Sequence, residues 1–223
     1  PARYPADWGE AWYERLNSAD HPVGLIIHPF FYRLGYYMMG TERFMVSFYD
    51  DPQMIRDMFR FWAEFVMELV EDVVTHVGLD YVAIAEDLAY KSSSFISPSM
   101  YEEFWMPYQT PVIRFLREHG VPIVSLWSSG DIRPILPHAI RAGFNATWPL
   151  ESVVGLHAVE LRREYGRSLA LAGNISIHAL IAGKEAIRRE VETKAVPMWK
   201  EGGYIPTVDD ITPPEVPYEN YRY

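Results

Sequence analysis

Short apolar stretches alternate with longer amphipathic segments along the whole chain. The apolar stretches predict six β-strands, at residues 23–27, 81–85, 121–126, 144–147, 168–172 and 204–208. The intervening segments carry apolar residues every three or four positions and predict helices at residues 7–16, 52–76, 98–119, 132–142, 153–165 and 184–201. Strict alternation of strands and helices indicates parallel strands joined by right-handed crossovers.

Two of the predicted helices contain prolines, whose effect depends on their position in the helix. Pro52 lies in the first turn of the helix over residues 52–76, where its missing N–H is no disadvantage. Within the helix over residues 98–119, Pro107 and Pro111 are expected to kink or break the helix, because a proline in a helix interior removes a hydrogen bond.

The regular repetition of one strand and one helix favours a (β/α) barrel over an open sheet. No Gly-x-Gly-x-x-Gly sequence follows a predicted strand, which weakens a dinucleotide-binding interpretation. Six units are too few for an eight-stranded barrel. We therefore predict an α/β fold of the (β/α)8 TIM-barrel type. Residues 1–223 would form a single barrel domain with roughly strands 3–8, and the first two strands are expected before Pro1.

Carboxylates directly follow two of the predicted strands: Glu86 and Asp87 follow the second, and Asp209 and Asp210 follow the last. These four are candidate catalytic residues, since active sites of (β/α) barrels lie at the C-terminal ends of the strands. Adjacent strand residues point to opposite faces, so only one of Glu86 and Asp87 should enter the barrel mouth. We favour Glu86 as a general acid, because burial would raise its pKa. The alternative is that these carboxylates cap loops or form ion pairs.

Aromatic and polar residues beside the strand ends are candidate substrate contacts. The aromatic residues would form a flat apolar wall for an aromatic or corrin substrate, and they are Phe30, Phe31, Tyr90, Trp127 and Trp148. The polar candidates are Lys91, Ser129, Glu151 and Asn174. Ordinary packing at the top of the barrel, loop capping and ion pairing are the alternatives that the sequence leaves open.

His28, just past the first predicted strand, is a candidate metal ligand or base. With Glu86 it would contribute nitrogen and oxygen ligands for zinc or another divalent ion. A lone histidine is equally compatible with a structural role.

Composition narrows the classes of function. The 223 residues carry a net charge of −10 and contain no cysteine. An acidic chain lacks the basic face that nucleic acids require, and without cysteine a thiolate-bound zinc site is excluded. No apolar run approaches the roughly 20 residues of a membrane-spanning helix. We therefore expect a cytoplasmic protein that binds neither nucleic acid nor membrane.

Several stretches occur in order at the predicted strand ends: EDLAYK at 86–91, ISP at 96–98, GVPIVSLWSSGDI at 120–132, PLE at 149–151, GNI at 173–175 and GGYIPTVDDITPPEV at 202–216. Over nearly the whole chain they resemble the uroporphyrinogen decarboxylase superfamily, and within it the uncharacterised and methyltransferase-like branches. The resemblance implies a (β/α)8 barrel and two possible chemistries.

The first implied chemistry is demethylase-type transfer of a methyl group from a small methylated substrate to a corrinoid carried by a partner protein. Zinc-dependent members have His-x-Cys where this chain has Trp-Ser-Ser at 127–129. The second is decarboxylation of uroporphyrinogen or another acid, for which many relatives have Val-Asp-His where this chain has Val-Asp-Asp at 208–210. We expect methyl transfer, with decarboxylation and a non-catalytic binding barrel as alternatives. Six strands would also leave unpaired edges, which favours a homodimer.

Overall fold

The computed structural model describes residues 4–223 and contains one sheet of six parallel strands. The strands pair in chain order and are β1 (Gly24–Ile27), β2 (Tyr81–Ala85), β3 (Val124–Trp127), β4 (Ala146–Trp148), β5 (Ala170–Ile175) and β6 (Tyr204–Val208). Because parallel crossovers are almost always right-handed, sequential order places the connecting helices on one face of the sheet. The predicted α/β class is confirmed, and the sheet corresponds to part of a TIM barrel.

Twelve helices occur in the part of the chain that the structure describes. They are α1 (Glu10–Asn17), α2 (Phe31–Met39), α3 (Thr41–Asp50), α4 (Pro52–His76), α5 (Pro98–Met100), α6 (Met106–Glu118), α7 (Leu136–Ala142), α8 (Ala158–Tyr165), α9 (Ile177–Ala182), α10 (Lys184–Glu190), α11 (Val196–Glu201) and α12 (Tyr218–Tyr221). π-helical turns join α5 to α6 and α10 to α11. None of the described helices is long and apolar enough to cross a membrane.

Strand and helix limits agree closely with the predictions at β2, β6 and α4. The structure differs at α2 and α3, which the sequence analysis did not predict. Gly35 lets these two helices meet, because a Cβ at this position would lie 2.2 Å from the ring of Phe44. The helix does not break at Pro107 or Pro111. The π-helical turn over Tyr101–Trp105 leads directly into α6, which begins one residue before Pro107 and continues through Pro111.

The two faces of the sheet carry side chains of different size. Val82 and Ile84 of β2 are fully buried beneath the helices, as are their neighbours on β3. The opposite face, which corresponds to the barrel interior, carries Ala83 and Ala85, and Ala85 lies in register with Trp127. Side chains alternate along a strand, so each residue after β2 is assigned to a face by counting from these positions.

Aromatic rings fill the space between the helices that follow β1 and β2. The rings of Phe31 and Phe59 stack with centroids 4.4 Å apart, and those of Phe48 and Trp105 stack at 5.2 Å. All four are buried. This packing fixes α2 and α6 against the sheet and so positions the residues that these helices present to the strand ends.

The sheet ends at β1 and β6, which do not pair with each other within residues 4–223. On the face that corresponds to the barrel interior, Ile26 is 53% exposed and Ile205 is 66% exposed. The described residues thus form an open sheet of six parallel strands, consistent with part of a TIM barrel.

Candidate functional site

The C-terminal ends of β2, β3 and β4 form a rim, which we call the mouth. Its centre is a pair of indoles, because Trp127 and Trp148 are in register on neighbouring strands. Their ring centroids are 4.7 Å apart with planes inclined by 54°, and both rings are partly exposed. Asp87, Ser129 and Glu151 lie two or three residues past the ends of these three strands. The predicted aromatic wall therefore has these two residues in place to form it.

Asp87 joins the loops that follow β2 and β3. Its backbone adopts a positive φ of 56°. One carboxylate oxygen, Oδ1, accepts a hydrogen bond of 3.2 Å from the backbone N–H of Ser129. The other, Oδ2, forms an ion pair with Arg33. Asp87 is thus the carboxylate of the adjacent pair that reaches the mouth.

Arg33 brings a positive charge to this rim from the first turn of α2. Its Nη1 lies 2.9 Å from Nε2 of His28 and 3.5 Å from the hydroxyl of Tyr37. The imidazole of His28 in turn faces Trp127, with ring centroids 6.3 Å apart. Sequence reasoning did not identify Arg33, because α2 was not predicted there. An arginine soon after the end of a barrel strand was the available signal.

Glu151 follows β4, three residues after Trp148. Its Oε1 accepts a hydrogen bond of 3.0 Å from the backbone N–H of Gly130. Burial raises the pKa of Glu151, and the nearby negative charges of Asp210 and Asp209 raise it further, against hydrogen bonds from Gly130 and Ser129 that lower it. The side chain stays partly exposed. A carboxyl that retains its proton closer to neutral pH and is reachable from solvent can act as a proton donor.

Glu86 occupies a different place from the one predicted for it. It shares the helix-facing side with Val82 and Ile84 and is fully buried. Its Oε2 accepts a hydrogen bond of 2.8 Å from the backbone N–H of Tyr32, and its Oε1 accepts one of 2.6 Å from Gln109. Burial raises the pKa of Glu86 to about 8, so the side chain is largely neutral at pH 7. The expected shift is present, but the carboxyl does not face the mouth.

Asp209 and Asp210 also separate. Asp209 is buried and accepts hydrogen bonds from the backbone N–H and the hydroxyl of Ser152 and from the backbone N–H of Ile177 at 2.9 Å. It therefore joins the end of β6 to the segments that follow β4 and β5. Asp210 is exposed and accepts a hydrogen bond of 2.7 Å from the backbone N–H of Ile211.

Three further candidates lie in the interior. Asn174 is fully buried, and its amide contacts three backbone groups, those of Leu150, Leu156 and Ala158. Phe30 and Phe31 are fully buried and stack on each other with centroids 4.1 Å apart. These placements differ from the predicted substrate-binding positions, because the chain turns inward after β1 to begin α2.

Tyr90 and Lys91 extend from the loop after β2 and are exposed. The Lys91 ammonium lies 5.6 Å from the centroid of the Tyr90 ring. The backbone carbonyl of Tyr90 accepts a hydrogen bond of 2.8 Å from Asp131, which ties this loop to the one after β3. Both side chains remain available at the edge of the mouth.

The proposed metal ligands are not brought together. His28 contacts Arg33, whereas Glu86 is buried on the helix side of β2. Among residues 4–223, no group of three or more His, Asp and Glu side chains is arranged to hold a metal ion. A role for another divalent ion therefore stays a prediction from sequence.

Comparisons with known proteins place the chain in a family. The model of the uroporphyrinogen decarboxylase (URO-D) family matches residues 23–223. A uroporphyrinogen decarboxylase of Carboxydothermus hydrogenoformans is 27% identical over 168 residues, which are 73% of this chain and 45% of that protein. A methyltransferase from Methanosarcina mazei has a similar fold, with a TM-score of 0.57 and 17% identity over 91% of this chain and 57% of its own.

The chain spans about half the length of these two relatives. The structural similarity to the methyltransferase, at 17% identity, concerns the fold. The family model extends from the residue before β1 to the last residue. On this evidence the chain belongs to the uroporphyrinogen decarboxylase family.

Proposed function

We propose that this protein catalyses methyl transfer from a small methylated substrate to a corrinoid held by a partner protein. The observation that carries the proposal is the position of Glu151, a partly exposed carboxyl with a raised pKa that follows β4 at the same strand ends as the indoles of Trp127 and Trp148. These three residues combine a proton donor with an apolar surface at the end of the sheet where barrel enzymes act.

The indole pair suits a flat, apolar methyl donor. Two aromatic rings 4.7 Å apart and inclined by 54° leave one face of each partly exposed. Aromatic ligands stack on such surfaces and bury a large area at little entropic cost.

Removal of a methyl group from oxygen or nitrogen leaves an electron pair on the departing atom. The bond from that atom to the methyl carbon breaks as the methyl carbon bonds to the acceptor, and the departing atom then takes a proton. Glu151 is the donor that we assign to this proton, because it faces the mouth and its pKa is raised. Glu86 also carries a proton at pH 7, but it is sealed beneath the helices.

The methyl acceptor comes from outside this chain. A corrinoid on a partner protein would supply a strongly nucleophilic acceptor. The sequence contains no cysteine for a thiolate-bound zinc ion. The tasks left to the residues of the mouth are to bind the donor, to align its methyl group and to protonate the leaving atom.

The test is methyl transfer to free cob(I)alamin, which replaces the partner protein, followed by the change in corrin absorbance. Purified protein is supplied with a panel of methoxylated aromatics and methylamines. Glu151→Gln should lower the rate about 10²- to 10⁴-fold, the usual loss when a general acid is removed. Glu118→Gln, on the exposed end of α6, is the matched control. Absence of transfer from every donor would contradict the proposal.

Decarboxylation is the second candidate, and Arg33 favours it. An arginine at the mouth can bind a substrate carboxylate, and the curated relative from Carboxydothermus is named a uroporphyrinogen decarboxylase. The same protein preparation is therefore assayed with uroporphyrinogen. Decarboxylation without methyl transfer would replace the first proposal by the second.

A further inference from the structure

Arg33 lies at the edge of the mouth beside His28, whose imidazole faces Trp127. Its guanidinium is held between His28 and Asp87 at the edge of the mouth. The side chains of Arg33 and Asp87 are 18% and 26% exposed, so the pair is reachable from solvent. His28 and Tyr37, which flank it, are more exposed still.

The hydrogen-bonding capacity of Arg33 is incompletely used. Nη1 contacts His28 and Tyr37, and Nη2 contacts a single oxygen of Asp87. The Nε–H is buried and has no hydrogen-bond partner. Asp87 contacts the guanidinium through Oδ2 alone, and its Oδ1 accepts a hydrogen bond from Ser129. A guanidinium fork prefers a carboxylate that binds through two oxygens.

We infer that Arg33 binds a carboxylate group of the substrate. The substrate is therefore a planar aromatic acid that carries its methyl group at the end of the ring opposite the carboxylate. This inference rests on the proposed function and names its substrate class. The ring would lie on Trp127 and Trp148, and the methylated atom would lie toward Glu151.

The spacing of the strands supports this orientation. Arg33 forms an ion pair with Asp87, which lies two residues past the end of β2. Glu151 follows β4, which is two strands away from β2. Adjacent strands are about 4.8 Å apart, so the ends of β2 and β4 are separated by roughly 10 Å. The loop after β3, between these two strands, donates to Asp87 from Ser129 and to Glu151 from Gly130. A benzene ring with a carboxylate at one end and a methoxy group at the other bridges such a distance between hydrogen-bonding groups.

Binding can be measured without turnover, through the change in tryptophan fluorescence when ligand covers the indole pair. The two ligands are 4-methoxybenzoate and its neutral analogue 4-methoxybenzamide. Arg33→Met should weaken binding of the acid about 10- to 100-fold and leave the amide within about twofold, because a charged hydrogen-bonding partner is lost only for the acid. Arg56→Met, which breaks an exposed ion pair with Glu103, is the matched control.

A second variant separates a binding role from a structural one. Asp87→Asn removes the carboxylate that competes for Arg33, so it should tighten binding of the acid several-fold and leave the amide unchanged. A merely structural ion pair would give looser binding of both ligands. Equal losses for acid and amide in Arg33→Met, weaker acid binding in Asp87→Asn, or no binding of the acid by the unaltered protein would overturn the inference.

The outcome is distinguishable from failure of the proposed function. If the acid binds through Arg33 but no methyl transfer occurs, the inference stands and methyl transfer fails. If methyl transfer occurs from 4-methoxybenzoate at a rate that Arg33→Met leaves unaltered, methyl transfer stands and the carboxylate anchor fails.

Discussion

Glu86 and Asp87 are neighbours in the chain, yet they belong to two different regions of the molecule. Glu86 lies under the helices, fully buried, between Tyr32 and Gln109. Asp87 lies at the mouth, partly exposed, between Arg33 and Ser129. One residue step at the end of a strand thus separates a carboxyl of the core from a carboxylate of the candidate site.

The two environments impose opposite electrostatics. On the helix side, loss of water dominates and raises the pKa of Glu86 to about 8. At the mouth, Asp87 has an arginine beside it and solvent within reach. Burial thus favours a Glu86 carboxyl that stays protonated, although the hydrogen bonds from Tyr32 and Gln109 act in the opposite direction and lower its pKa. A strand end can therefore carry two acids of the same type with different roles.

The largest expected effect concerns activity. Glu151→Gln should slow methyl transfer about 10²- to 10⁴-fold, whereas Glu86→Gln should change it less than about tenfold, because Glu86 has no access to the donor. The measurement is the initial rate with cob(I)alamin and the best donor of the panel. If Glu86→Gln loses as much activity as Glu151→Gln while its melting temperature is unaltered, the division between the two regions is wrong.

The next effect is the dependence of stability on pH. The folded pKa of Glu86 is about 8, above the ordinary value of 4.5 that applies to the unfolded chain. Between these values the unfolded chain has released a proton that the folded protein retains. The contribution of Glu86 to the free energy of unfolding is therefore full below pH 4.5 and decreases by roughly 1.4 kcal/mol per pH unit up to about pH 8.

Glu86→Gln should abolish that decrease, since an amide does not titrate. Urea unfolding of both proteins at pH 5, 6, 7 and 8 measures the difference, and Glu118→Gln reports the background from an exposed glutamate. Curves for Glu86→Gln and the unaltered protein that run parallel over the whole range would show that Glu86 ionises as freely when folded as when unfolded.

A smaller effect is expected from the amide that links the buried groups. Gln109 donates to Glu86 and accepts from the hydroxyl of Tyr101 at 2.5 Å. Gln109→Leu keeps the volume but leaves two buried polar groups without this partner, which should lower the free energy of unfolding by roughly 2 to 4 kcal/mol. The measurement is urea unfolding at pH 6. Tyr101→Phe, which removes one of the two groups, should recover part of the loss in the double variant.

The smallest effect is expected at the mouth. Asp87→Asn breaks a partly exposed ion pair and keeps the hydrogen bond from Ser129, so the free energy of unfolding should fall by about 1 kcal/mol or less. High salt should shrink the difference further, because a pair within reach of solvent is screened. A loss as large as that of Gln109→Leu would place Asp87 in the core rather than at the mouth.

The sequence was sufficient for the elements with a strong local pattern. Helix α4 has an apolar stripe, a proline in its first turn and the capping residue Asp51, and its limits are those predicted. Strands β2 and β6 are also as predicted. Helices α2 and α3 were missed. They are nine and ten residues long, and Gly35 and Gly40 in this stretch lower its helix propensity.

The candidate site was predictable in location but not in detail. The indole pair and Glu151 lie at the strand ends, as the barrel rule requires. The choice between Glu86 and Asp87 could not be made by polarity, because β2 is apolar on both faces. Only size distinguishes the faces, with Val82 and Ile84 toward the helices and alanines toward the interior. The position of Arg33 was not predicted because it lies on α2, which the sequence analysis did not predict.

Asp209 has a consequence for how variants of this protein would be interpreted. This one carboxylate holds the first residues of two segments that follow β4 and β5, and the first of these segments comes directly after Glu151. A substitution at Asp209 would move the proton donor without touching the substrate. If variants were compared by turnover alone, Asp209 would be grouped with the catalytic acids although its role is structural. Its effect on the melting temperature would distinguish it from them.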